Sequence, residues 1–500
     1  MRAIHWYLAS SLGLAACGGR NVPASSPGAR GYPALDAIRE DDLKRDIFYL
    51  ASDAMRGREA GTLDELRAST WLADQARAAG LEPAGDDGTY FQFWPMRRVR
   101  SSAASVIKLG DRQLTLGTDA IVTVPTNARL DAPIVFVGEG KASDVAGKEL
   151  AGKVVAALIS APATPIPARM SLRAARYAFS AIGEQVAFLS SRNPAAIILV
   201  SDAVADSGWS FASMSLGRGQ YGIDSVAPVR GIGTVPIIWV RQNFAELVSR
   251  PDQRLTAALV AESFLYPSVN VVARSPGTDP AVRGEYVLFS GHQDHDGVRL
   301  PIDGDSIYNG ADDNASVSVG LLGIGRAFAR HPGRRSALFV WHGAEERGLL
   351  GSRWHAAHPV VPRTSIVAVI NADMIGGNTP DSAALLGVRP PHRNSKALVE
   401  MGLKANAEVS RFQLDTLWDQ PTHPEGWYFR SDHLPYARAG IPSLYFTTLL
   451  HARYHTPKDE AAAIDIPKLA RMTRWMYATG WLVANASSRP GLDEGFKLER

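Results

Sequence analysis

The 500-residue chain has a single cysteine, Cys17. No intrachain disulfide can form, so the fold rests on its core. No block of lysine or arginine stands out either. The 53 basic and 50 acidic side chains leave a net charge of +3, and the basic run that marks nucleic-acid binding is missing. No internal stretch is apolar for long enough to cross a bilayer. LARMTRWMYATGWLVA comes nearest, but Arg471 and Arg474 interrupt it, and it reads as an amphipathic or buried helix. Histidine is absent from about 130 to 260, and the carboxylates there do not cluster, so that stretch shows no chemistry of its own.

What is present is the composition of a globular protein, 46% hydrophobic and 21% charged, at a length that calls for two or more domains. The N-terminus stands apart. MRAIHWYLASSLGLAACGGR has an early arginine, a short apolar run and then small residues, the layout of a secretory signal rather than a spanning helix. Its Leu14-Ala15-Ala16-Cys17 resembles the lipobox of bacterial lipoproteins, which implies cleavage before Cys17 and lipid attachment to it. The expected location is then the bacterial cell envelope, lipid-anchored at the outer membrane or periplasmic face; the alternative is an ordinary secretory signal and a secreted protein. Residues 18–34, rich in Gly, Pro, Ser and Ala, read as a flexible tether.

A helix is expected over TLDELRASTWLADQARAAG, with Thr62 as its cap, Glu65 three residues later and Gly80 at its stop. Between about 130 and 260 the short Val- and Ile-rich runs APIVFVGEG, GKVVAALIS, AAIILVSD and TVPIIWVR read as strands. We assign 129–261 to an inserted strand-rich domain and 35–128 with 262–490 to a split catalytic domain. In the latter, SVNVVAR, EYVLFSG, SALFVWHG, SIVAVINAD and IPSLYFTT alternate with helical patterns. Such alternation predicts an α/β fold, a mostly parallel mixed sheet sandwiched by helices. Ligands of such sheets bind beyond the carboxyl ends of the strands.

Those ends carry the chemistry. GHQDHDG supplies His292, Asp294 and His295; YNGADDNAS supplies Asp312 and Asp313; the turn after ALFVW supplies Glu345 and Glu346; NAD supplies Asp373; YHTPKDE supplies Tyr454 and His455. Eleven of the twelve histidines lie between His292 and His455, which random surface placement does not produce. Imidazoles with carboxylates and no thiolate suit borderline divalent metals such as zinc. Several acids at one point repel unless cations neutralise them, and this many ligands suit two metals sharing a carboxylate.

The strings GHQDHDG, IYNGADDNAS, GAEERGLLGS, NADMIGG, RSDHLPYARAGIPS and YHTPKDE, in that order, resemble those of the co-catalytic di-zinc aminopeptidases, the superfamily that also holds glutamate carboxypeptidase and the transferrin receptor. The resemblance covers about 262–485 and reaches LASDAMRGREAGT near the N-terminus; the insert resembles a protease-associated domain. It implies two zinc ions: His292 and Asp373 on one, Glu346 and His455 on the other, and Asp313 bridging both, with a cis bond to Asn314. It implies Glu345 as general base, Tyr454 on the oxyanion, and Asp294 orienting His292 by accepting its other ring N–H. Both glutamates can reach one site only if the strand has ended, and Gly343 and Gly348 would permit that turn. Val317, where relatives often have glycine, should affect helix packing. His331 is read as a helix terminus, His342 as buried near the site and His433 as lining the cleft; His295 receives no role.

The expectation is a zinc-dependent exopeptidase acting on peptide substrates, with aminopeptidase as its first reading. A carboxypeptidase on acidic peptides, for which Arg430 is the one nearby basic residue, or an amidohydrolase remains the alternative. A non-catalytic surface binding protein is a further one, against which the full ligand set argues.

Overall fold

The computed structural model describes residues 31–224 and 235–498. The signal, Cys17 and nearly all of the tether lie outside the described residues. Among the described residues no helix is long and apolar enough to cross a membrane.

The larger unit is built on a nine-stranded sheet. At its centre four strands run parallel in the order Ser336–His342, Tyr286–His292, Ile366–Ala372 and Ser443–Thr447. Antiparallel strands flank them: Ser268–Ser275 against Ser336–His342, and Ser382–Leu386 against Ser443–Thr447. Near-continuous apolar runs suit a sheet covered on both faces, and the period of two divides them. Val287, Phe289, Phe339 and Trp341 enter one core with the long helices; Leu288, Leu338 and Val340 enter the other.

Helices Glu40–Leu50, Leu63–Ala78, Ser316–Arg330, Lys396–Ala405 and Ile466–Asn485 bring side chains to the first core, and Leu350–Ala357 and His433–Arg438 to the second. Ile466–Asn485 is the segment with Arg471 and Arg474; its apolar face is buried and it is no span. Thr62 caps its helix by accepting from the amides of Asp64 and Glu65. Glu65 does not close a capping box: its carboxyl accepts from Gly61 N and Ser268 Oγ, both at 2.6 Å. His331 is the C-cap of Ser316–Arg330. Val317 is buried against Gly291, where a Cβ would lie 2.4 Å from Val317 Cγ1. The departure at 317 is therefore met by a glycine beside His292.

The second unit has its own eight-stranded sheet, in which Ala128–Phe136, Val154–Leu158, Ala196–Val200 and Ile237–Val240 run parallel. The expected boundary at 129 is corrected. Val106–Leu109 pairs with Arg254–Leu259, and Ala120–Val122 pairs with Ile237–Val240, so residues from 106 onward belong to this sheet. Ala120–Val122 forms one edge of the sheet and Val106–Leu109 lies one strand in from the other; both find partners more than a hundred residues away, which a local apolar pattern does not reveal. A three-stranded ribbon, Gln220–Ile223, Met96–Ser101 and Ala261–Leu265, carries the chain out and back.

Candidate metal centre

The centre lies past the carboxyl ends of the parallel strands. Tyr286–His292 ends on His292 itself, and Ile366–Ala372 stops one residue before Asp373. After Ser336–His342 the chain turns sharply through Ala344, at φ 55°, into the short helical turn Glu345–Arg347. Gly348 takes a left-handed φ of 104°, as its place in the sequence suggested. Gly343 serves differently: a Cβ there would lie 2.4 Å from Glu65 Oε1 and 2.5 Å from Ser268 Oγ. Its bareness permits close packing at the strand end. Asp313 follows the left-handed Gly310, and its bond to Asn314 is cis. Asp459 fixes this turn, accepting from the amides of Asp312 and Asp313 at 3.0 Å.

Two donor groups share one carboxylate. Asp313 Oδ1 lies 3.4 Å from His292 Nε2, and Asp313 Oδ2 lies 3.3 Å from His455 Nε2. Around His292 Nε2 stand Asp373 Oδ2 at 3.6 Å and Glu345 Oε2 at 3.8 Å. Beside His455 Nε2 stands Glu346 Oε2 at 3.3 Å. The Nε2 atoms of both histidines are buried without a hydrogen-bond partner, as nitrogens kept for a metal would be. With carboxylates around them and no thiolate, these donors fit two zinc ions.

The acids and imidazoles perturb one another. Burial alone would lower the His292 imidazole, but Glu345, Asp373 and Asp313 raise it well above its ordinary value. Burial raises the Glu345 carboxyl well above the usual range, with Asp373, Asp432 and Glu346 adding repulsion against the pull of His292. Glu346 moves the other way: burial would raise it, and His455 and His295 hold it low.

Asp294 departs from expectation. The group within hydrogen-bond distance of His292 Nδ1 is its main-chain carbonyl, at 3.1 Å, while its carboxylate stands 3.8 Å away. That carboxylate instead accepts from the amides of Glu345 and Glu346, at 3.0 and 3.4 Å. It therefore shapes the turn that presents the glutamate pair. Tyr454 packs against His455, with ring centroids 3.9 Å apart and planes tilted by 39°, and its hydroxyl accepts from Arg430 Nη2 at 2.8 Å. His342 is buried, its Nε2 3.3 Å from Tyr436 Oη. His433 lies fully buried between Tyr428 and Tyr445, so it packs an aromatic stack and does not line an open cleft.

Two contributors were missed. His295 Nδ1 lies 2.8 Å from Glu346 Oε1; the doubled histidine of HQDH was its only signal. Asp296 Oδ2 lies 3.2 Å from His455 Nδ1, so the carboxylate behind this imidazole comes from a residue 159 positions away, as the numbering shows.

Residues 270–480 match the model described as Peptidase family M28. A probable zinc metalloprotease of Pyrenophora teres f. teres is 31% identical over 291 residues, 53% of this chain and 60% of that protein. Aminopeptidase YwaD of Bacillus subtilis is 29% identical over 188 residues, 36% of this chain and 39% of that one. The match thus spans less than two thirds of the length of these relatives. Among solved structures, a zinc aminopeptidase from Bacillus subtilis aligns over 92% of this chain and 99% of its own, with a TM-score of 0.59 at 17% identity. An aminopeptidase from Aneurinibacillus sp. strain AM-1 aligns over 92% and 96%, with a TM-score of 0.58 at 18% identity. The chain shares their fold.

Proposed function

We propose that this chain, whose residues 270–480 match the model of peptidase family M28, is a zinc-dependent aminopeptidase of that family that removes N-terminal residues from peptides. The observation that carries the reading is the division of Asp313, one oxygen toward His292 and the other toward His455, with Glu345 alongside. His292, Asp373 and Asp313 would hold one zinc ion; His455, Glu346 and Asp313 would hold the other. Zinc at such a pair activates water and stabilises negative charge on a carbonyl oxygen.

The chain's own groups do the rest. Glu345, whose environment raises its proton affinity, accepts the proton of the attacking water and delivers it to the leaving amine. The Tyr454 oxygen is already occupied as acceptor from Arg430. Its own O–H is therefore free to donate to the oxygen on which charge develops. The Asp294 carboxylate holds the glutamate turn in place.

Arg430 bears on the carboxypeptidase alternative. Its guanidinium is engaged by Glu425 Oε2 at 3.0 Å and by Tyr454, which leaves it a poor receptor for a substrate carboxylate. The test is a panel of amino-acid p-nitroanilides beside N-acetylated and C-terminally blocked peptides, each with and without a zinc chelator. Cleavage of unblocked substrates alone, abolished by chelation, is expected. A requirement for a free C-terminus would replace the reading with a carboxypeptidase.

The second unit is read as a protease-associated domain, on its strand-rich pattern and its place in the chain. The lipobox-like LAAC supports a secreted, lipid-anchored protein of the bacterial envelope. Detergent-phase partitioning that is lost in Cys17→Ala is the expected result; partitioning that persists would refute the anchor.

A further inference from the structure

Tyr454 and His455 are consecutive, and each is tied by a carboxylate to the second unit. On one side Arg218, at the end of helix Trp209–Gly217, places Nη1 2.6 Å from Asp296 Oδ1, and Asp296 Oδ2 lies 3.2 Å from His455 Nδ1. Asp296 is 1% exposed and Arg218 12%. Arg347 of the larger unit reaches the same Asp296 oxygen at 3.4 Å. On the other side Ser171 donates from N and Oγ to Glu425 at 2.7 and 2.9 Å, and Arg176 Nη2 donates to Glu425 Oε2 at 2.9 Å. Glu425 in turn holds Arg430, which donates to the Tyr454 hydroxyl.

The loop between these grips needs holding. His455 has a φ of 53°, a left-handed conformation that is unfavourable for a non-glycine residue and persists only where its surroundings over-determine it. We propose that the second unit is a working part of the metal centre. Arg218, through Asp296, orients the His455 imidazole for its metal; Arg176 and Ser171, through Glu425 and Arg430, orient the Tyr454 hydroxyl. The proposal rests on the peptidase reading above. All of these are positioning residues. An imidazole whose far nitrogen faces a held carboxylate is fixed in tautomer and ring angle, and loss of such support weakens metal binding about 10- to 100-fold.

The test uses the full chain with Arg218→Met and Arg176→Met, which keep an aliphatic stem and remove the charge. Zinc affinity is read by competition with a chromogenic chelator, and kcat and KM on the best p-nitroanilide. Arg218→Met is expected to weaken one of two zinc sites about 10- to 100-fold, with turnover restored by excess zinc. Arg176→Met is expected to keep both zinc affinities and KM while kcat falls about tenfold, a loss of orientation rather than of binding. Should Arg218→Met not fold, Asp296→Asn carries the same zinc comparison. Wild-type zinc affinity in the first variant overturns the His455 half, and wild-type kcat in the second overturns the Tyr454 half. A lower Tm with neither change would make these contacts domain glue and overturn both. A wild-type chain that binds two zinc ions and cleaves no peptide would sink the peptidase reading and the Tyr454 half with it, while the zinc comparison still decides the His455 half.

Discussion

Glu345 and Glu346 are neighbours in the chain that face different histidines. Glu345 Oε2 lies 3.8 Å from His292 Nε2, and Glu346 Oε2 lies 3.3 Å from His455 Nε2. The turn at Ala344 makes this division possible. Their substitutions should therefore separate. Glu345→Gln is expected to retain two zinc ions and lose about 10²- to 10⁴-fold in kcat, the usual contribution of a positioned base. Glu346→Gln is expected to lose zinc affinity first. Metal analysis beside steady-state kinetics distinguishes the two, and near wild-type turnover in Glu345→Gln would remove it from the base role.

Zinc removal should destabilise the fold. Asp313, Glu345, Glu346 and Asp373 have side chains at most 11% exposed, and without cations they repel. A ligand present at about 1,000 times its Kd stabilises by about 4 kcal/mol. Dialysis against a chelator should therefore lower Tm, and zinc should restore it with saturation. A Tm indifferent to zinc would contradict the assignment of the centre.

Glu65 sets a pH dependence of stability away from the metals. Burial, with the nearby Asp294 charge, pushes its carboxyl up to about 8 from an ordinary 4.5. The folded state therefore favours the neutral acid. The stability this contributes is complete below pH 4.5, falls as pH rises above that value, and is gone once pH passes about 8. At about 1.4 kcal/mol per unit, the change is on the order of 5 kcal/mol. Chemical denaturation of the wild type should show stability declining from pH 5 to pH 8, and Glu65→Gln should flatten that decline. An unchanged slope in the variant would assign the effect to other groups.

Gly480 tests the packing behind the site. A Cβ there would lie 2.1 Å from Phe289 Cζ, and Phe289 belongs to the strand that ends in His292. Overpacking of this kind costs about 1–3 kcal/mol. Gly480→Ala should lower Tm, and because the strand is shared it should weaken zinc binding as well. An unaltered Tm would mean that helix and strand separate without penalty.

Much of the centre was legible because strand ends announce themselves: an apolar run stops, and His292, Glu345 or Asp373 follows within a few residues. The pairs that join distant segments were not. Arg218 lies in a stretch that shows no chemistry of its own, and nothing local ties it to Asp296. Asp296 was overlooked because His292 and Asp294 in the same string already had tasks. The role given to the Asp294 carboxylate failed for a geometric reason, since its own main-chain carbonyl reaches His292 Nδ1 first. The short strands before 129 were invisible because strands this short are specified by their partners rather than by their own composition.

The ribbon that leaves and re-enters the larger unit has a thermodynamic corollary. Met96–Ser101 and Ala261–Leu265 pair side by side, Ser101 opposite Ala261. The larger unit therefore meets the second unit as one closed loop with its ends already joined. Closure entropy grows only with the logarithm of loop length, so the size of the module barely registers in the stability of the scaffold. A different module could be spliced at the same two strands with little penalty, provided that it presents two cations where Arg176 and Arg218 now stand.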